Sequence, residues 1–318
     1  LRIEWVNHAG FILSSGDISI LCDPWLIGAV FNNGWELLVP TDLSAHDFSK
    51  ITHIWFSHEH PDHFNPQSLN KVLPLMNNPT ILFQTTKDKL FLDFFCNRGI
   101  DVRELENMKR HEIGPSAFVT IGKNGIEDSW ALFEIGGKKV LNLNDCIFSQ
   151  EKEIQLVAKK TGDVDLMLSL FSYAEKVGNL GDDQFRENKA KYIRELIIKE
   201  AKYFSPKFVI PFASFKYFSH HENFYLNGGS STARKIFDTL KGRIKAETII
   251  LFPGDIWEYG HKVDNIKSIE KYSMYERKIK PQNYSEEQFN VERLVRSSGE
   301  FINRIKKNPE WNAYFFKL

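Results

Sequence analysis

Apolar positions recur along the chain in two rhythms. In the first third they come as short blocks, "RIEWV", "GFILSS" and "ISILCD", rich in β-branched and aromatic residues and broken by Gly and Asp. That pattern predicts three strands joined by tight turns. "THIWFS" predicts a buried strand, and "TILF" another. Between them, "NPQSLNKVLPL" predicts a short helix with Asn65 as its cap and Pro66 at its first position. "KDKLFLDFFCNRG" predicts a helix ending on Gly99. Strands resume between Val102 and Leu143, the clearest being "SWALFEI" and "KKVLNLN", with a tight hairpin at "IGGKK".

The rhythm then lengthens. A helix is predicted around Glu151–Lys160, a strand at "VDLMLSL", and the strongest helix over Asp183–Phe204. There Phe185, Tyr192, Ile193, Leu196, Ile197, Ala201 and Phe204 share one face, and the Lys and Arg of 189–202 form the solvated side. "KFVIPF", "ETIILF" and "DIWEY" predict further strands and Ser231–Leu240 a helix. Blocks of strands with interspersed helices, without strict alternation, predict two stacked sheets with helices outside. The expected organisation is one large domain over residues 1–263, with a mostly helical extension, 264–318, packed on it.

Composition narrows the function classes. Forty-one basic residues balance forty-one acidic ones, and no basic stripe is visible, which argues against a nucleic-acid partner. No segment approaches the roughly 18 consecutive apolar residues of a membrane span, and no charged-then-apolar leader opens the chain. Cys22, Cys96 and Cys146 are scattered, which fits a reducing, cytoplasmic compartment rather than a disulfide framework. No CxxC or CxH pair is present, so an internal iron–sulfur or zinc-ribbon site is not expected. The chain opens on Leu1, and a trimmed start is expected.

The chemistry concentrates in "SHEHPDHF", where His58, His60, Asp62 and His63 follow the apolar strand "THIWF". Imidazole and carboxylate are the ligands that divalent metals take at neutral pH. Alternate residues of an extended segment point the same way, so His58 and His60 can reach one ion. Pro61 bends the chain, and Asp62 and His63 can reach a second.

His58-x-His60-x-Asp62-His63 resembles the signature of the metallo-β-lactamase fold. The resemblance implies an α/β protein of α+β type, a four-layer αββα sandwich with one or two metals at the rim of its sheets. It also implies roles for Asp23 of "ILCDP", which orients the metal loop through hydrogen bonds, and for Asp145 of "NLNDC", which bridges the metals. "VNHAGFIL" resembles the opening of the branch holding N-acylphosphatidylethanolamine phospholipase D and the sugar lactonases.

Over most of Trp5 to Leu226 the chain is similar to the hydrolase-like domain of CMP-N-acetylneuraminate hydroxylases. The similarity rests on "DPWLIGAVFNNGWELLVP", "FSHEHPDHF", "EDSWALFEIGGKKVLNLNDC" and "PFASFKYFSHH". Those enzymes carry a Rieske domain, for which this sequence has no Cys/His set. Either the chain is trimmed or its electrons come from a separate donor protein.

Zinc members place a His before the strand leading to the bridging Asp. Here "GKNGIEDSWALF" offers Asp128, or Glu127, as diiron oxygenases of this fold do. The resemblance further implies His220, or its neighbour His221, as the last ligand. His8 either contacts substrate or a metal-bound water, or is satisfied within its turn. Trp25, Phe31 and Trp35 either line the substrate mouth or pack in the core. "LNGGSSTARK" either cradles a phosphate near Arg234 or is a Gly-rich loop with a Ser cap.

The implied ligand sets are His58, His60 and Asp128 for one metal and Asp62, His63 and His220 for the other, with Asp145 bridging and Asp62 also able to steer a water. Two chemistries follow. In one, two irons perform O2-dependent hydroxylation of a sugar or nucleotide-sugar-like molecule. In the other, zinc or manganese hydrolyses a phosphodiester, lactone or ester.

Overall fold

The structure is a computed structural model that describes residues 1–87, 89–125, 127–282 and 291–307. The chain divides into two units, Leu1–Gln282 and Asn283–Leu318. The first unit is built on two seven-stranded mixed sheets.

In chain order the strands are β1 (Arg2–Asn7), β2 (Gly10–Ser15), β3 (Ile18–Cys22), β4 (Trp35–Leu37), β5 (His53–Trp55), β6 (Thr80–Gln84) and β7 (Val102–Leu105). They continue as β8 (Arg110–Gly114), β9 (Ala117–Asn124), β10 (Asp128–Ile135), β11 (Lys138–Asn142), β12 (Leu166–Leu170), β13 (Phe208–Phe212), β14 (Lys216–Phe218), β15 (Glu247–Thr248) and β16 (Ile256–Glu258). The first sheet runs β16-β1-β2-β3-β5-β6-β7, the second β15-β13-β12-β11-β10-β9-β8, and β14 pairs with β4 in a small ribbon.

The helices are α1 (Pro66–Val72), α2 (Leu90–Cys96), α3 (Glu151–Thr161), α4 (Asp183–Phe204), α5 (Ala233–Leu240), α6 (Asn265–Glu276) and α7 (Val291–Lys307). Sheets and helices form the αββα sandwich that the histidine motif implied.

Period-two alternation builds the layers. Phe11 and Leu13 of β2, Ile20 and Cys22 of β3, and Trp55 of β5 face the core between the sheets. Their neighbours Ile12, Leu21 and Ile54 face the opposite way, onto Leu69 and Val72 of α1 and Phe91 and Phe95 of α2. Sheets buried on both faces therefore carry continuous apolar strands rather than alternating ones. The expected cap forms at α1, where the Asn65 side chain accepts the Ser68 N–H at 2.8 Å. The expected turn forms at the β10–β11 hairpin, where Gly136 and Gly137 take φ of 59° and 68°.

Helix α6 lies within the first unit. Tyr272 is fully buried, stacks on Phe215 and donates to the Leu251 carbonyl at 2.8 Å. In "ETIILF" only Glu247–Thr248 is strand. The buried face of α4 also differs from the apolar stripe of the sequence. Phe185 and Tyr192 are exposed, while Arg186, Arg194 and Glu200 are buried with Ile193, Ile197 and Phe204. Polar partners explain it: Arg194 donates to Ser231 Oγ at 2.7 Å, and Ser169 Oγ donates to Glu200 at 2.6 Å.

Burial pushes the Glu200 carboxyl from 4.5 up to about 7, against the Ser169 hydrogen bond. The unfolded chain releases this proton near 4.5 while the folded one keeps it to about 7, so stability falls as pH rises through that window and levels off above it. Glu200→Gln should remove this fall, worth up to about 3 kcal/mol, in urea melts at pH 4.5 and 7.5. An unchanged pH slope would count against it.

Candidate metal centre

The site gathers on the ends of strands from both sheets. Asp23 follows β3 with φ of 37° and is fully buried. Its carboxylate accepts from Ser57 N–H (2.8 Å), Ser57 Oγ (2.9 Å) and Asn144 Nδ2 (2.8 Å), and lies 3.2 Å from His63 Nδ1. Asp23 thus ties the loop after β5 to the loop after β11 and fixes the His63 ring. Ser57 Oγ also sits 2.9 Å from His58 Nδ1, and the Ser57 carbonyl accepts from Ser129 Oγ at 2.6 Å. With their Nδ1 atoms held from behind, His58 and His63 turn Nε2 toward the opposite carboxylates, an arrangement common to metal-ligating histidines.

Three groups of converging donor atoms result, each able to hold a metal ion: His58, His60 and Asp128; His58, His63 and Asp145; and His8, Asp62 and His63. His58 Nε2 lies 2.8 Å from His60 Nδ1 and 3.8 Å from Asp128 Oδ1. His63 Nε2 lies 3.3 Å from both Asp62 Oδ2 and Asp145 Oδ2. Asp145 is thus the carboxylate between the two ends of the cluster. Glu127 faces His60 Nε2 at 3.2 Å on the exposed side, outside these groups.

Electrostatics fit a cation. Burial opposes a charged His63 ring, yet Asp62, Asp145 and Asp23 together push it well above its usual value. Burial likewise opposes the charges on Asp62 and Asp145, and His63 holds both carboxyls below the usual range. Burial and the His63 charge push His58 down to about 4, and burial, then Asp145, pushes Asp128 up to about 6. One proton on His63 compensates a crowd of carboxylates, the part a dication plays better. Buried His8 Nδ1 and Nε2, Asp62 Oδ1, His63 Nε2 and Asp145 Oδ1 have no hydrogen-bond partner. Buried polar atoms are seldom left so, and the donor set fits metal ions.

A cavity of about 690 Å³ opens over His60, Asp62, Asp128 and Asp145. Phe31, Trp35, Tyr173, Phe218 and Tyr225 form its aromatic wall. Trp35 and Phe31 therefore stand where a substrate mouth was expected. Trp25 does not: it is fully buried, donates to the Gly28 carbonyl at 3.0 Å and packs edge-on against the His8 ring at 5.2 Å.

The loop carrying His220 and His221 does reach the cavity, but through Glu222 and Asn223. His220 joins none of the three groups. Its backbone bridges to Gln282, its Nδ1 accepts the Glu222 N–H at 3.3 Å, and the His221 ring lies tilted against it with centres 4.4 Å apart. In "LNGGSSTARK", read as a phosphate cradle or as a Gly-rich loop with a Ser cap, Thr232 rather than a serine caps α5, accepting the Lys235 N–H.

Two contributors escaped sequence reasoning. Asn144, beside Asp145 in "NLNDC", holds Asp23 from the far sheet, a link that only the packed sheets reveal. Lys216 is buried with its ammonium 3.5 Å from the Phe218 ring centre and 4.3 Å from that of Trp35. Burial pushes it down to about 7 against the pull of Asp62 and Asp145. No spacing motif announces it.

Imidazoles and carboxylates converging at the ends of two stacked sheets define a metal-binding sandwich protein. The beta-lactamase superfamily domain matches residues 2–168, more than half of the chain, and the chain belongs to that family. It is 25% identical over 238 residues to the gorilla cytidine monophosphate-N-acetylneuraminic acid hydroxylase, covering 71% of this chain and 39% of that protein. The chain thus spans about two fifths of the length of such relatives.

Among solved structures, a possible metal-dependent hydrolase from Veillonella parvula superposes with a TM-score of 0.59 at 17% identity, over 80% of this chain and 98% of its own. A diiron β-hydroxylase from Streptomyces venezuelae superposes with a TM-score of 0.53 at 17% identity, over 79% and 53%. At these identities the likeness is one of fold. The family is one of enzymes, hydroxylases and hydrolases alike. Among the described residues no helix is long and apolar enough to cross a membrane.

Proposed function

We propose that the chain is a two-metal enzyme that hydroxylates a small molecule, of sugar or nucleotide-sugar type, with dioxygen. The observation that carries this reading is the donor set at one end of the cluster: two imidazoles, His58 and His60, with a carboxylate, Asp128, and an open cavity beyond. Two histidines and one carboxylate with open positions suit non-haem iron, and a hard oxygen anion favours the higher iron states over zinc. Asp62 and His63 serve a second ion, Asp145 lies between the two, and Asp23 orients the loop. The sequence likeness to the hydroxylases supports the same chemistry.

Two irons there would supply dioxygen activation: one oxygen atom enters a substrate C–H bond and the other leaves as water, drawing two electrons and two protons from a donor. That donor lies outside these 318 residues, as a separate electron-donor protein or a further part of the chain. The residues of this chain bind and orient. Phe31 and Tyr225, the more exposed of the aromatic residues along the cavity, offer apolar surface on which the C–H face of a sugar or base packs. Asp23 and Ser57 hold the imidazoles so that the ions stay at the cavity floor.

A second reading, a zinc or manganese hydrolase of a phosphodiester, lactone or ester, is favoured by one observation. Asp62 Oδ1 is buried without a hydrogen bond and is able to orient an attacking water.

One preparation separates the two. Protein purified without added metal is analysed by plasma mass spectrometry, and its spectrum recorded before and after anaerobic reduction. The expected result is about two irons per chain and a near-ultraviolet band that bleaches on reduction. Zinc or manganese without such a band, with ester or phosphodiester cleavage under nitrogen, would replace the oxygenase by the hydrolase.

A further inference from the structure

We propose that His8, not His220, is the remaining protein ligand of the second ion, completing a set with Asp62 and His63. The inference rests on the two-metal reading above. His8 sits in the turn between β1 and β2 with φ of 44°, an uncommon conformation for a residue other than glycine.

The turn is clamped on every side. The His8 N–H donates to Asn7 Oδ1 at 2.9 Å, and the Asn7 amide donates to the Val39 carbonyl at 2.7 Å and Thr41 Oγ1 at 2.9 Å. The His8 carbonyl accepts the Ala213 N–H at 3.0 Å. The residue after β13 thus supplies a backbone clamp on this turn. Strain held this firmly at a non-glycine residue points to function.

The ring completes the argument. It is buried, Trp25 packs on its edge, and neither nitrogen has a hydrogen bond. Its Nε2 lies 3.4 Å from Asp62 Oδ2, and His63 Nε2 lies 3.3 Å from the same oxygen. An ion about 2.0–2.1 Å from each donor at a tetrahedral angle spaces those donors about 3.3–3.4 Å apart. The gaps are too wide for good hydrogen bonds and match two ligands of one ion. His8 also balances the cluster: each end then holds two imidazoles and one carboxylate, with Asp145 between. His220 has its own partners around Glu222 and Gln282.

The test titrates metal-free protein anaerobically with Fe(II), with equilibrium dialysis and metal analysis as the readout. It compares the wild type, His8→Asn and His220→Asn; asparagine tolerates the left-handed backbone of His8. The wild type should bind two ions. His8→Asn should keep one and lose affinity for the other by at least about 100-fold, while His220→Asn keeps both. Retention of both ions by His8→Asn, or loss of one by His220→Asn, overturns the assignment and leaves the two-metal reading standing. A wild type that binds a single ion overturns both.

Should His8→Asn not fold, the wild type decides alone. Nitrogen-15 spectra of its histidine rings during Zn(II) titration should show His8 Nε2 move to a metal-bound position while His220 stays. The opposite pattern ends the proposal.

Discussion

Asp145→Asn should lower turnover by more than about 100-fold, beyond what is usual when residues that merely support ligands are lost, and should lower the bound metal below two ions per chain. Asp145 Oδ2 stands 3.3 Å from His63 Nε2, and its Oδ1 is buried without a partner. The amide keeps the shape of the side chain but removes the charge, so two nearby ions lose the anion between them. Without metal, and against burial and repulsion from Asp62, the His63 ring holds the Asp145 carboxyl below the usual range, so removing that charge loses a net attraction. The metal-free variant should therefore melt somewhat below metal-free wild type, but still in one cooperative transition. That comparison separates loss of the centre from loss of the fold. Two tightly held ions and unchanged turnover in the variant would remove Asp145 from the site.

Trp130→Ala should cost about 3–5 kcal/mol, the range for truncating a large buried aromatic. Trp130 is fully buried between the sheets, and its strand partner is Gly122 of β9. The indole lies over that glycine so closely that a Cβ there would collide with the ring. The site shares the consequence, because β10 carries Asp128 and Ser129 two residues or fewer from Trp130. Urea melting of the metal-free protein measures the effect on the fold alone. A loss under about 1 kcal/mol would mean that the surrounding core collapses into the space. Gly122→Ala, which overpacks the same contact, should cost about 1–3 kcal/mol.

Much of this was legible in one dimension because it is local. The strand "THIWFS" and the histidine run after it sit within a dozen residues, and alternation with a proline bend suffices to aim His58 and His60 together. The capping Asn65, the Gly136–Gly137 turn and the span of α4 rest on equally local rules. The likeness of the motif to a known fold supplied Asp23, Asp128 and Asp145 as candidates, and the structure brings all three to the cluster.

Tertiary structure decided what depends on strands distant in sequence. His8 and Asp62 are separated by more than fifty residues, and they meet because β1 and β5 lie in one sheet with β2 and β3 between them. His220 pairs through its backbone with Gln282, a pairing that no spacing rule contains. Trp25 resembles a lining residue in sequence and proves to be the buried backing of His8. Arg194 and Glu200 lie under α4 because Ser231 and Ser169 satisfy them from other elements. Hydrophobic period and local hydrogen bonding are properties of a segment, so the sequence alone determined most of the longer strands and helices and where the first ligands cluster. Which far-off side chains meet them is a property of how the segments pack, and only the assembled sheets determined it.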